Sequence, residues 1–448
     1  MNQSIDISEW INRQKISGLQ ILVICLCGAC ALVEGFDAQN IGYVAPAVIR
    51  EWGLPPHSFT PAFMSGLIGL LIGCLAVAPL ADRLGRKKVI VGSIAAFAVF
   101  SFLSAAATTL ESLSILRFLT GIGIGGGMAN AIALTFEFFP KRKRSAMTVI
   151  MFTGFPLGAS LGGFLSAYLI SRFGWQAVFI CGGILPAVLA VLLAIWLPES
   201  IRHLVVRGGR TQQLAAILER INPRAALTAD TRFFVAEERR DGLAVGHLFR
   251  QGRALGTALI WTIFFMSLLD IYLIASWLPT LLHDAGLSLP VSVVITAMTQ
   301  LSGVFACLVA APQLDRRGPL SVLLPAYLLA ALGIAALGSV GTAVGWLMLA
   351  ACAAGGGIVG GQVTANAYAA AFYPTYIRAT GVGWALGIGR VGAVVGPGVG
   401  GIMLALHWSR SSIFIASAVP ALIAVLAVLA LMRLERRKLA PLPRAEFV

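Results

Sequence analysis

Two carboxylates, Glu34 and Asp37, stand three residues apart inside an apolar run that begins near Gly18. On a helix that spacing turns both to one face. An ionised carboxylate at membrane depth costs on the order of 3 kcal/mol, so such acids face a cavity or a partner and not lipid. The chemistry open to them is reversible protonation; a structural pair satisfied by neighbouring helices is the alternative. Two arginines lie comparably deep in apolar runs, Arg117 and Arg390. Arg390 falls about a dozen residues into its run, near the middle of a bilayer at about 1.5 Å per residue. A guanidinium there needs an anion, and its planar fork matches a carboxylate. Either Arg390 pairs with Asp37 or Asp270, or it receives an anionic ligand. Arg117 lies nearer the depth of Asp37 and is the better partner for the acids, which leaves Arg390 for the ligand. Asp270, midway along another apolar run, either contributes to specificity or neutralises Arg390.

The elements that must hold these residues follow from composition. Of the 448 residues 58% are hydrophobic and 12% charged, against about 25% charged in soluble chains. Windows of about 20 apolar residues predict twelve spans, at 18–48, 59–81, 88–108, 113–138, 146–170, 175–197, 254–282, 289–312, 319–339, 343–370, 379–406 and 411–433. The expected fold is an all-α membrane protein of two six-helix bundles, 1–197 and 253–448. Between them lies an Arg-rich, unstructured-looking central loop, 198–252. The first 17 residues are polar and lack the short apolar core of a cleaved signal peptide.

With both ends cytoplasmic, the inside segments carry 28 Lys and Arg and the outside loops only Arg50, Arg172 and Arg410. That asymmetry orients the chain and assigns the net charge of +14 to anionic lipid heads; nucleic acid is not called for. The seven cysteines all fall in apolar runs. Cys27-x-x-Cys30 has metal or redox spacing but no second pair or His cluster beside it, so no metal is expected. The glycines of GIGIGGG, 121–127, follow no strand and read as helix packing, not as a dinucleotide loop; no cofactor is expected. Trp277 and Trp408 read as interface-belt residues.

The halves repeat. PLADRLGRKK (79–88) has a worn partner in PQLDRRG (312–318), with Asp82 on Asp315 at an offset of 233. FEFFPKRKRSA (136–146) pairs with AAFYPTYIRAT (370–380), with Arg144 on Arg378 at 234, and Gly158 and Gly162 fall on Gly392 and Gly396 at the same offset. Two related halves with a binding site where they meet near the midplane is the plan of a secondary transporter.

The run LADRLGRKK, 80–88, resembles the signature of the major facilitator superfamily between its second and third helices, and Arg117 with Gly121 and LPES (197–200) fit the same pattern. The resemblance covers essentially the whole chain. It implies a cytoplasmic gate drawn from Asp82, Arg83, Gly85, Arg86, Glu137, Asp315 and Arg378. Within that superfamily, VEGFDAQNIGYVAPAV (33–48) resembles the first helix of the aromatic acid:proton symporters, which typically carry Asp-Gly-Phe-Asp where this chain has Glu34 to Asp37. Asp37, Gly42, Ala45 and Pro46 match as they stand, and YLIASWLPTLL (272–282), Glu137, Arg378 and Arg390 add to the likeness. It implies proton coupling through Glu34, Asp37 and Arg117 and a substrate contact from Arg390. Asp270 lies outside the family pattern and is a substrate-site candidate on its depth alone, and Tyr272 and Trp384 are rings that either stack on a substrate or pack in the core.

The electrostatics point the same way. Glu34, Asp37 and Asp270 against Arg117 and Arg390 leave one excess negative charge, and an entering carboxylate adds another, so neutrality favours protonating an acid as it binds. The expected activity is import of a small aromatic carboxylate with protons across the bacterial inner membrane by a monomer. A carrier of a non-aromatic organic acid, such as a muconate-like diacid, and an exporter of the same superfamily remain alternatives.

Overall fold

The computed structural model describes residues 4–207, 211–223, 232–234, 245–374 and 377–439. Among them, twelve helices are long and apolar enough to cross a membrane: α1 Gly18–Glu51, α2 Pro56–Val77, α3 Arg86–Ser104, α4 Leu110–Phe138, α5 Lys141–Phe173, α6 Gln176–Trp196, α7 Ala254–Asp284, α8 Leu289–Leu314, α9 Pro319–Ser339, α10 Val344–Phe372, α11 Thr380–Ala405 and α12 Arg410–Arg436. Each matches an expected span to within a few residues. The chain divides into two compact units. The first comprises residues up to 240 together with Ser288–Ala297, and the second the remainder.

Local chemistry sets the helix ends. Ser17 and Gln20 form a capping box at the start of α1, and Thr109 and Ser112 another at the start of α4, satisfying backbone N–H groups that the first turn leaves open. At α3 and α9 the chain turns through Gly85 (φ +99°) and Gly318 (φ +78°), a region that favours a residue without Cβ. These two glycines are 233 apart, so the repeat holds at the level of backbone angle.

Within each unit the first and fifth helices meet through glycine. A Cβ on Gly158 of α5 would collide with the Leu32 carbonyl of α1, and a Cβ on Gly392 of α11 with the Phe265 carbonyl of α7. Small residues allow such backbone approach where lipid offers no hydrophobic drive between helices. Gly121, Gly123 and Gly125 do the same work in α4, packing on α2 and α3. Replacing Gly158 or Gly392 by valine is expected to lower stability by about 1–3 kcal/mol or more through overpacking. Gly345→Val is the control, since a Cβ there meets nothing within 4 Å; thermal melts in detergent would read all three.

The central segment is not the featureless loop its composition suggests. It carries helices Ile201–Arg207 and Thr211–Ile221, whose Ile201, Leu204, Leu214, Leu218 and Ile221 join the core of the first unit. The polar N-terminal segment is structured from Ser4 on. Ser4–Asp6 pairs in parallel with Arg232–Phe234, and the helix Ile7–Arg13 buries Ile7 and Ile11 in the same core. Apolar residues at helical spacing, diluted by arginines, are what composition alone conceals.

Candidate functional site

In the first unit α1 turns both acids toward α3 and α4. Arg117 of α4 donates from Nη1 to Asp37 Oδ1 at 2.9 Å and Oδ2 at 3.0 Å. Its Nη2 donates to Thr120 Oγ1 at 2.9 Å and Ser104 Oγ at 3.3 Å. The Ser101 hydroxyl donates to Asp37 Oδ1 at 3.3 Å, and the Arg117 guanidinium lies 4.9 Å from the centre of the Phe179 ring. The two side chains are only 3% and 5% exposed. Such a pair is tolerated in a low dielectric because each charge is matched and further hydrogen bonds are made, with Arg117 Nε alone of its nitrogens lacking a partner among the described residues. Glu34, one turn earlier, is buried against Cys30 of its own helix, Ile94 and Phe97 of α3, and Ile124 and Met128 of α4.

At the α2–α3 turn, Arg86 Nε lies 2.7 Å from Glu137 Oε1, and the Ser200 hydroxyl donates to the other Glu137 oxygen. The acid at the α3 N-terminus is Glu199. Glu199 Oε1 accepts from the Lys87 N–H at 3.0 Å and the Ser200 N–H at 2.8 Å, where a carboxylate suits the positive helix end. A Cβ on Gly85 would press on that carboxylate. Asp82 and Arg83 are exposed, and neither forms a hydrogen bond or ion pair among the described residues. Arg144 and Arg378 each donate from Nε to a carbonyl five residues back, Phe139 at 2.8 Å and Tyr373 at 3.4 Å. Asp315 lies on the helix that begins with α8, and its side chain falls outside the described residues.

The second unit holds the other candidates. Arg390 sits half-buried in α11 and makes no hydrogen bond or ion pair among the described residues. Asp270 is buried in α7 and does not pair with it. Tyr272 is half-buried two residues on. Trp384 stacks on Trp261 at 5.9 Å between ring centres, and Trp261 meets Phe249 edge-on at 5.4 Å, so one face of Trp384 is already taken. Trp277 is not a belt residue. It is fully buried and donates its indole N–H to the Pro397 carbonyl at 2.9 Å, tying α7 to α11.

Sequence reasoning passed over Gln39 and Asn40. Both are buried in α1 beside Asp37, with neither amide hydrogen-bonded among the described residues. Two amides inside a membrane-length apolar run carried the signal that could have found them.

Twelve membrane-length helices in two repeated units, with a buried acid–arginine pair in one and in the other an arginine without an anion among the described residues, follow the plan of a membrane carrier. The sequence matches the model of the Major Facilitator Superfamily over residues 27–385 and again over 308–447. It is 42% identical to the gallate transporter of Pseudomonas putida, covering 94% of this chain and 93% of that one. It is 40% identical to the 4-hydroxybenzoate transporter PcaK of Pseudomonas putida, covering 95% of each. The benzoate transport protein of Acinetobacter baylyi is 32% identical over 95% of this chain and 92% of its own. The xylose transporter XylE of E. coli shares the fold, with a TM-score of 0.71 at 17% identity, covering 96% of this chain and all of that one. The chain belongs to the Major Facilitator Superfamily, in the branch of these aromatic acid transporters. It is a multi-pass membrane transporter and not an enzyme.

Proposed function

We propose that this chain imports a small aromatic carboxylate across the bacterial inner membrane together with protons, by alternating access, with both termini cytoplasmic. The observation that carries the reading is Arg390, a guanidinium at mid-helix without an anion among the described residues. A charge held at that depth calls for a counter-charge, and a substrate carboxylate supplies one in the bidentate geometry that the fork prefers. The relatives named for gallate, 4-hydroxybenzoate and benzoate support an aromatic ring on that carboxylate. Tyr272 and Trp384 remain the candidates for the rest of the substrate.

Proton coupling rests on Asp37, Arg117 and Glu34. Protonating Asp37 would leave Arg117 unbalanced, so the charge state of α1 and the arrival of an anion are linked electrostatically. Arg86, Glu137 and Arg378, with Asp82, Arg83, Gly85 and Asp315, serve the cytoplasmic gate, and the bias of basic residues supports the orientation. The purified protein in liposomes, given an inward pH gradient and a labelled hydroxybenzoate, is expected to accumulate the acid while the lumen acidifies. Substrate movement without proton movement, or outward movement alone, overturns the reading.

A further inference from the structure

The repeat can be carried from landmarks to individual residues, because the close helix contacts fix the register in each unit. Gly158 abuts Leu32 where Gly392 abuts Phe265, and Gly162 abuts Phe36 where Gly396 abuts Leu269. The α1-to-α7 offset is therefore 233, which places Glu34 on Ser267 and Asp37 on Asp270. Gly121 meets Gly66 as Gly355 meets Thr299, and Gly123 meets Ser93 and Phe97 as Gly357 meets Ala326 and Ala330. The counterparts of the partners of Asp37 follow: Arg117 becomes Ala351 and Ser101 becomes Ile334. The second unit keeps the acid and discards its cation.

Around that acid the polarity is inverted relative to the first unit. Ile94, which lines the nook of Glu34, corresponds to Tyr327, and Met128 corresponds to Gln362. Ser267, Asp270 and Tyr327 are each 1% exposed. Tyr327 Oη is directed toward Ser267 and lies within electrostatic reach of Asp270. Asp270 Oδ1, Ser267 Oγ, Tyr327 Oη and Gln362 Oε1 are buried with no hydrogen-bond partner among the described residues. Tyr327 of α9 is the titratable side chain that faces the acid. From α12 it meets the backbone N–H of Ala421, and among the described residues neither α10 nor α11 brings a charged group to it, Arg390 included.

A carboxylate so placed is intolerable as an isolated anion, and the neutral acid is the form that burial permits. The anion is nonetheless provided for. The last membrane helix is kinked at Ala418, between Arg410–Ser417 and Val419–Leu439, where Pro420 brings no N–H to the helix ladder. The Ala421 N–H beside this kink lies against Asp270 and can donate to it. Both protonation states thus have partners within reach. We propose that Asp270 is a second proton-binding site, the counterpart in the second unit of Asp37, whose proton is exchanged in each transport cycle. The proposal rests on the proton-coupled reading given above.

The test is Asp270→Asn, which keeps an oxygen for the Ala421 N–H but cannot carry a proton. Labelled hydroxybenzoate and a lumenal pH dye, followed together in liposomes, give protons per substrate. The variant is expected to move one proton fewer, and the accumulation driven by one unit of pH difference should fall about tenfold. A wild type that couples protons beside a variant with the same stoichiometry overturns this inference alone; a wild type that moves no protons overturns the import reading and this one with it. Should Asp270→Asn not fold, infrared difference spectra of the wild type and Asp270→Glu decide. A neutral-acid carbonyl band that moves in the variant supports the proposal, and its absence overturns it.

Discussion

Replacing Arg390 with lysine is expected to raise the apparent Kd for the carboxylate substrate at least about tenfold while leaving the thermal melt unchanged. The first half of that expectation comes from geometry. A guanidinium offers two parallel N–H donors to a carboxylate, whereas an ammonium is a point charge on a flexible stem. Losing one charge-assisted hydrogen bond costs about 1.5–3 kcal/mol, or roughly ten- to hundredfold in affinity. The second half comes from what Arg390 lacks: with no hydrogen bond or ion pair among the described residues, its removal breaks no contact that holds the unit together. Arg390→Ala should abolish saturable uptake for the same reason. Calorimetric titration with benzoate and hydroxybenzoates on the detergent-purified protein measures both variants. An affinity unchanged in Arg390→Lys would return the residue to a purely structural role.

The contrast between Arg390 and Asp270 bears on how much of this protein could be read from its residues in order. The twelve spans and the Asp37–Arg117 pair were legible because charge within apolar runs is scarce, so few pairings are possible. That Arg390 and Asp270 stay apart was not legible, because helix periodicity says which face a residue occupies but not which neighbour packs there. The offset of 233 was visible at Asp82 and Asp315, yet assigning Asp270 to Asp37 needed the glycine contacts that lock α1 on α5 and α7 on α11. Trp277 misled for a different reason. An indole suits a membrane interface and a buried carbonyl equally, and only the Pro397 oxygen decides between them.

Asp37→Asn is expected to abolish accumulation against a gradient while retaining exchange of substrate down one. The variant mimics a permanently protonated acid, so the step in which a proton is released cannot occur. It also leaves the Arg117 charge without its anion, and breaking one side of a buried pair typically costs about 3–5 kcal/mol. A loss of uptake alone would therefore not separate coupling from folding. The double variant Asp37→Asn with Arg117→Gln does. It removes the orphaned charge, keeps groups able to hydrogen-bond Ser101 and Thr120, and is expected to recover most of the stability in a thermal melt. Accumulation should stay absent in the double variant, because the first unit's proton carrier is still missing and the acid of the second unit does not by itself complete the cycle. Glu34, three residues earlier and buried among apolar side chains, would be the remaining acid on this face. Full proton-driven accumulation by Asp37→Asn would therefore remove Asp37 from the coupling, and adding Glu34→Gln or Asp270→Asn to that variant would measure which remaining acid carries the proton.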